Sequence, residues 1–219
     1  TYTDRSVYKM NETKQIQRKE QIMDAALRTI VQKGYDNSRM DDIVKISNLS
    51  KGAIYWYYKS KKDVYLDLIN YWVLRYSAVI NHLIEEDHSA ADQLKSLFLY
   101  FTKQFENDPS LYKALIEFWT LAGRDKDFQK KLNKVYSNFL MLLEDIISRG
   151  VETGEFKNLN VQITALSIMV NIEGILWFTL FDAHGISARE YINTITDFIL
   201  SGLTNKSSSK GILDESSNK

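Results

Sequence analysis

S-R-M-D-D-I-V-K-I-S-N-L-S-K-G-A-I-Y-W-Y-Y-K-S-K-K, running from Ser38 to Lys62, reads as two short helices around a tight turn, with a third helix opening directly after. Ser38 with Asp41 three residues on has capping-box spacing, and Met40, Ile43 and Val44 supply an inward apolar edge. Asn48 stands at the turn, where a residue that tolerates the left-handed region is needed. Leu49 can plug the corner between the helices. Ser50 is placed to cap a second helix from Lys51 to about Tyr58, and Ser60 with Asp63 repeats the capping box for the third. Two short helices around a three- to four-residue turn form a helix-turn-helix, whose second helix enters the major groove of DNA.

The composition of that second helix fits the task. Lys51-Gly52-Ala53 is small apart from one long cation, so its backbone can approach base edges closely. Tyr55, Tyr57 and Lys61 offer hydroxyl and ammonium donors suited to flanking phosphate oxygens, and Ser38 and Arg39 join them as candidate DNA contacts. Ile54 and Tyr58, four apart, can pack inward.

On these residues the chain resembles the TetR family of bacterial transcriptional regulators. The resemblance starts at Ile22-Met-Asp-Ala-Ala-Leu and Lys33-Gly34-Tyr35, and is densest from Leu49 to Tyr58 and over Ser60-Lys61-Lys62-Asp63. It implies that the second motif helix reads bases while Tyr55, Tyr57 and Lys61 grip phosphates. Asn48 departs from the more usual turn glycine, and Ile30 from a frequent phenylalanine.

Charge supports the same division. Residues 1–62 carry 13 Lys and Arg against 7 Asp and Glu, whereas the remaining residues carry 15 against 21. A basic first quarter joined to an acidic remainder places a polyanionic partner at the N-terminal end. There is no cysteine, which excludes disulfides, thiolate metal sites and cysteine nucleophiles. His82, His88 and His184 lie far apart with no ligand spacing, so neither metal nor cofactor is expected. No phosphate-cradling glycine loop, nucleophile elbow or close carboxylate pair argues for an enzyme.

The expected architecture is all-α. Residues 1–60 should form an N-terminal arm and a three-helix DNA-binding head, 61–204 a larger helical effector-binding and dimerisation domain, and 205–219 a disordered tail. The arm, up to about residue 11, lacks apolar periodicity, and no apolar stretch follows it to suggest a secretory leader. A helix from Glu12 to Lys33 would turn Ile16, Ile22, Ala25, Ala26, Thr29 and Ile30 to one face and end at Gly34. A fourth helix from Lys61 to about Glu86 links the halves, and at that length it would span about 39 Å. Five more helices follow to residue 204. Among them, Val161–Phe181 is apolar almost all round, yet carries Glu173 near its middle and no flanking basic cluster, which argues for burial rather than a membrane span.

Phe98, Phe101, Phe105, Phe118, Trp119, Phe139 and Trp177 are candidate walls of an apolar cavity, with Asn171 and Glu173 as its polar groups. The resemblance implies a small effector bound between these helices. The combined reading is a cytoplasmic homodimer that represses at a palindromic, double-stranded operator and is released by a small, largely apolar effector. The alternative is a regulator or architectural protein that holds DNA constitutively.

Overall fold

The structure is a computed structural model that describes residues 2–84 and 88–205, without the side chains of residues 2–13 and 78. It is built of helices: α1 Tyr2–Asn37, α2 Met40–Ser47, α3 Lys51–Tyr57, α4 Lys61–Leu83, α5 Ala90–Asn107, α6 Ser110–Ala122, α7 Lys126–Glu152, α8 Val161–Glu173, α9 Trp177–Leu180 and α10 Ala188–Leu203. A 3-10 turn, Gly174–Leu176, joins α8 to α9. The chain folds as two compact units, one of residues 1–76 with 110–133, the other of 77–109 with 134–219.

In the first unit, α1 extends further than expected, because no proline or glycine interrupts the chain between Tyr2 and Lys33. The residues expected to form an arm therefore continue the helix. Gly34, at φ 70° and ψ 176°, breaks it, a left-handed turn that a side chain would strain. Ile22, Ala25, Ala26, Thr29 and Ile30 are buried as the periodicity predicts, and Met23 joins them, whereas Ile16 is exposed. Ile43 of α2, Ile54 of α3 and Val64, Tyr65 and Leu68 of α4 close the core around α1. Phe118 and Phe128, contributed by the later segment, stack with ring centroids 6.0 Å apart, and Trp72 meets Phe118 edge-on at 6.2 Å.

The second unit holds α5, most of α7, and α8 to α10. Leu94, Leu97 and Phe98 pack in its core with Leu143, Ile146, Ile147, Ile168, Ile172 and Ile192. The α5 N-terminus is tied down by Glu155, whose carboxylate accepts from the Ala90 and Ala91 amides at 2.8 and 3.0 Å. α7 runs through Gly150 to Glu152. The Phe156 ring folds back onto that glycine so closely that a Cβ there would lie 2.2 Å from the ring. α10 opens on the expected Ser187–Glu190 capping box, with both halves formed.

The apolar segment from Val161 is not one helix to Phe181. It breaks at Gly174, the weakest helix former in the run, where the Tyr191 hydroxyl lies so near that a Cβ would meet it at 2.5 Å. By length and composition Val161–Leu180 could cross a bilayer, but the break and Glu173 both fall inside it. Of the tail expected to be disordered from residue 205, all but Asn205 lies outside the described residues, as do Glu85, Glu86 and Asp87.

Candidate nucleic-acid interface and effector wall

Local chemistry builds the helix-turn-helix. α2 ends where Gln21 of α1 donates to the Ser47 carbonyl at 2.7 Å, and Asn48 turns the chain at φ 56°. Leu49, half-buried, fills the corner. Ser50 then accepts from the Ala53 amide at 3.2 Å, the expected cap of α3. Asp63 and Ser60 exchange both bonds of the next capping box at 2.9 and 3.2 Å.

This construction leaves the first turn of α3 open. Lys51 and Gly52 are exposed, and a Cβ added at Gly52 would meet nothing within 4 Å. Lys51 is held in place by Asp41 of α2 at 2.8 Å and lies 5.8 Å from the centre of the Tyr55 ring. That hydrogen bond to Asp41 raises the lysine's affinity for its proton. Tyr55 is 42% exposed and Tyr57 half-buried. Tyr58 instead points inward and donates to Asp67 at 2.6 Å, where Lys19 pairs with the same carboxylate at 2.9 Å. Burial is the larger cause, with that hydrogen bond, of the upward shift of the Tyr58 phenol.

Trp56 is 71% exposed and stands edge-on to Tyr57 at 4.6 Å. The sequence did not single it out as a contact, since α3 is too short for periodicity to separate an outward aromatic from an inward one. The only available signal was its place between two outward tyrosines.

Of the predicted DNA contacts before α3, Ser38 is engaged within the fold and Arg39 is exposed. Ser38 neither caps α2 nor faces solvent: it is 1% exposed, donates to the Tyr35 carbonyl at 2.7 Å and accepts from the Tyr65 hydroxyl at 3.1 Å. Arg39, exposed, takes the N-cap position, and its amide donates to Asp42 at 2.9 Å. Half of a box therefore forms one residue later than expected: Asp42 accepts from the Arg39 amide, while the Asp42 amide donates to the Arg39 carbonyl at 3.0 Å, and Lys33 also donates to the Asp42 carboxylate at 2.6 Å. The Lys33 hydrogen bond, then the Arg39 amide, holds the Asp42 carboxyl below its usual range.

Lys61 points back into the turn after α1. Its ammonium donates to the carbonyls of Tyr35 and Ser38 at 2.6 and 2.7 Å, approaches that of Asp36 at 3.4 Å, and lies 4.4 Å from the Tyr35 ring centre. An ammonium has three donors, and these three carbonyls take them all. Residues 110–133 brace the same turn: Glu117 accepts from the Tyr35 amide at 3.1 Å, Arg124 pairs with Asp36, and Lys62 bridges Asp125 and Asp127 at 2.7 Å each.

The candidate effector residues fall into two groups. Phe118 and Trp119 belong to the first unit, where Phe118 is core. The others lie in the second. Phe98 is fully packed, Phe101 and Phe139 meet edge-on at 5.7 Å, and Phe105 is half-buried. Asn171 donates to the Ser167 carbonyl of its own helix at 2.8 Å. Glu173 is half-buried and accepts a hydrogen bond from Tyr136; burial, the dominant influence, pushes its carboxyl up to about 7. Trp177 is exposed and lies 4.3 Å from Phe181.

Ile163, Leu166, Val170, Trp177, Leu180 and Phe198 form an exposed apolar set on α8, α9 and α10. A surface groove of about 510 Å³, edged by Glu20, Asp24, Tyr71, Leu74 and Arg75, is mixed in charge and so does not suit an apolar ligand. Among the described residues no three metal-ligating side chains come together.

Comparison with known proteins places these features together. The family described as bacterial regulatory proteins, tetR family, matches residues 22–68, and the BetI-type transcriptional repressor C-terminal family matches residues 90–204. The fatty acid metabolism regulator protein of Bacillus subtilis is 26% identical over 190 residues, covering 85% of this chain and 95% of that relative. The regulator QacR of Staphylococcus aureus is 24% identical over 189 residues, covering 85% and 98%. Among solved structures, the regulator FadR from Bacillus subtilis in complex with stearoyl-CoA aligns with a TM-score of 0.74 at 23% identity, over 84% of this chain and 98% of that one. A regulator from Haloarcula marismortui aligns with a TM-score of 0.75 at 20% identity, over 86% and 99%.

Proposed function

The chain belongs to the TetR family of bacterial regulatory proteins, a DNA-binding regulator of transcription and not an enzyme, and we propose that it works as a homodimeric repressor released by a small, largely apolar effector. The observation that carries this reading is the open first turn of α3. Lys51 and Gly52 are free of overlying protein, with Ser50 capping the helix and Asp41 steadying Lys51. A major groove admits a helix presented in this way.

The homodimer rests on the exposed apolar residues of α8 to α10, which a second subunit would cover. Two heads related by a dyad call for a palindromic operator. An effector would act by favouring a state whose heads no longer fit adjacent grooves. The likeness to regulators of fatty acid metabolism makes a long-chain acyl thioester the first probe to try, and cytoplasmic location accompanies such a role.

Selection of DNA from a random pool should return a dyad-symmetric sequence bound by two subunits, with the complex weakened when a cognate effector is added. A selected site without dyad symmetry would count against the dimeric reading. Operator affinity indifferent to every compound in a broad apolar panel would favour constitutive binding.

A further inference from the structure

Tyr35 opens the turn that leads from α1 into α2, and groups distant in sequence hold it there. Its ring lies 5.5 Å from that of Tyr65 and meets Phe128 edge-on at 5.6 Å. Its amide donates to Glu117 of α6 at 3.1 Å, a bond between residues 82 positions apart. The same half-buried carboxylate lies over Gly34, where a Cβ would come within 3.2 Å of its oxygen. Gly34 thus answers two needs, the φ of 70° that breaks α1 and a bare backbone that lets the carboxylate approach. All of these groups belong to the first unit. The other braces are of a different kind. Arg124 and Asp36 pair through exposed side chains, which can swing and are screened by water. The Tyr35 carbonyl keeps the Ser38 amide and hydroxyl even without Lys61. Glu117 grips the backbone itself, and among the described residues no other side chain accepts from that amide.

We propose that Glu117 is a positioning residue for sequence-specific DNA binding: by holding the Tyr35 amide it sets the angle at which α2, and α3 after it, meets the major groove. Its role rests on the reading of α3 as the helix that enters the groove, and it places a determinant of that reading outside the helix-turn-helix. α2 begins five residues beyond Tyr35, and α2 and α3 are only 8 and 7 residues long. Helices so short take their direction from the contacts around them. A turn released from Glu117 lets both tilt together, since Asn48 and the Ser50 cap join them closely. Contacts to base edges need exact placement, whereas phosphate attraction tolerates a tilt. Loss of Glu117 therefore costs discrimination between sequences before it costs attraction to DNA.

The experiment uses the full chain, the duplex that the wild type selects from a random pool, and a shuffled duplex of the same composition. The readout is the ratio of the two affinities, which a smaller folded fraction leaves unchanged because it lowers both alike. Glu117→Ala should reduce that ratio by about tenfold, a modest part of the usual gap between specific and non-specific binding. Glu117→Gln removes the same charge but keeps an oxygen for the Tyr35 amide, so it should stay within about threefold of the wild type. Hydrogen exchange followed by NMR supplies a second measurement. The Tyr35 amide should be protected in the wild type, and Glu117→Ala should release it together with the α2 amides while sparing those of Ile22 to Ile30. A Glu117→Ala protein with the wild-type ratio overturns the proposal, and so does Glu117→Gln falling as far as Glu117→Ala. A wild-type Tyr35 amide that exchanges as fast as unstructured peptide also overturns it, and needs no variant to fold. If the wild type selects no sequence, the regulator reading falls, and the exchange of α2 in Glu117→Ala alone decides whether Glu117 orients that helix.

Discussion

The ammonium of Lys61 and that of Lys51 look alike in the sequence, yet they are bound to different work. Lys61 satisfies carbonyls of the α1–α2 turn, so Lys61→Ala should lower stability by about 1.5–3 kcal/mol, the worth of hydrogen bonds to a charged group, as read by urea denaturation. Its DNA affinity should fall only as far as the folded fraction does. Lys51→Ala should leave the denaturation midpoint unchanged and alter which operators are preferred, because the side chain stands at the exposed head of α3. A stable Lys61→Ala protein with weakened operator binding would return that lysine to the phosphates. Glu173 allows a test by pH. Its folded carboxyl, at about 7, lies above the ordinary 4.5, so it contributes stability below pH 4.5 that is lost as pH rises through 7. The urea midpoint should therefore decline from pH 5 to pH 8, and Glu173→Gln should flatten that decline.

Helix ends were legible wherever they depend on neighbours in sequence. Asn48, Ser50, Ser60 with Asp63 and Ser187 with Glu190 all act as their spacing predicts, since each bond closes within three residues. Ser38 failed the same test because distant partners, Tyr65 and Lys61, draw its hydroxyl and carbonyl into the core. Phe118 was misassigned to an effector wall for a similar reason: its helical spacing fits any apolar neighbour, and that neighbour proved to be Trp72 and Phe128. Glycines separate local from tertiary causes experimentally. Gly52→Ala adds a methyl to open space within a helix, so it should stabilise by up to about 1 kcal/mol while weakening DNA binding. Gly150→Ala drives a methyl into the Phe156 ring and should cost about 1–3 kcal/mol, seen as a lower melting temperature.

For the molecule as a whole, the sequence announced the basic head and the apolar C-terminal helices, but not which apolar residues would face outward. Val161–Glu173 is apolar on every side, and only the packed fold distinguishes buried Ile168 and Ile172 from exposed Ile163 and Val170. Phe198 is 73% exposed in a single subunit. Phe198→Glu should therefore preserve the far-ultraviolet helical signal and thermal unfolding of the subunit while halving the sedimenting mass. A wild-type protein already monomeric at micromolar concentration would refute the interface.

Asp41 gives the reading helix an internal rival to DNA. With no operator present its carboxylate holds Lys51 at 2.8 Å, so on the proposed reading the lysine would reach the groove already partnered. A lysine that newly neutralises a phosphate displaces roughly one counterion and adds about 0.9 to the slope of log affinity against log salt. Lys51 must first leave Asp41, whose freed charge then recruits a cation of its own, and the net ion release falls below that figure. On that reading, the pair would blunt sequence-blind attraction at the head of α3. Asp41→Asn should steepen the salt dependence and tighten binding to random DNA more than to the operator, which filter binding from 50 to 200 mM salt would measure.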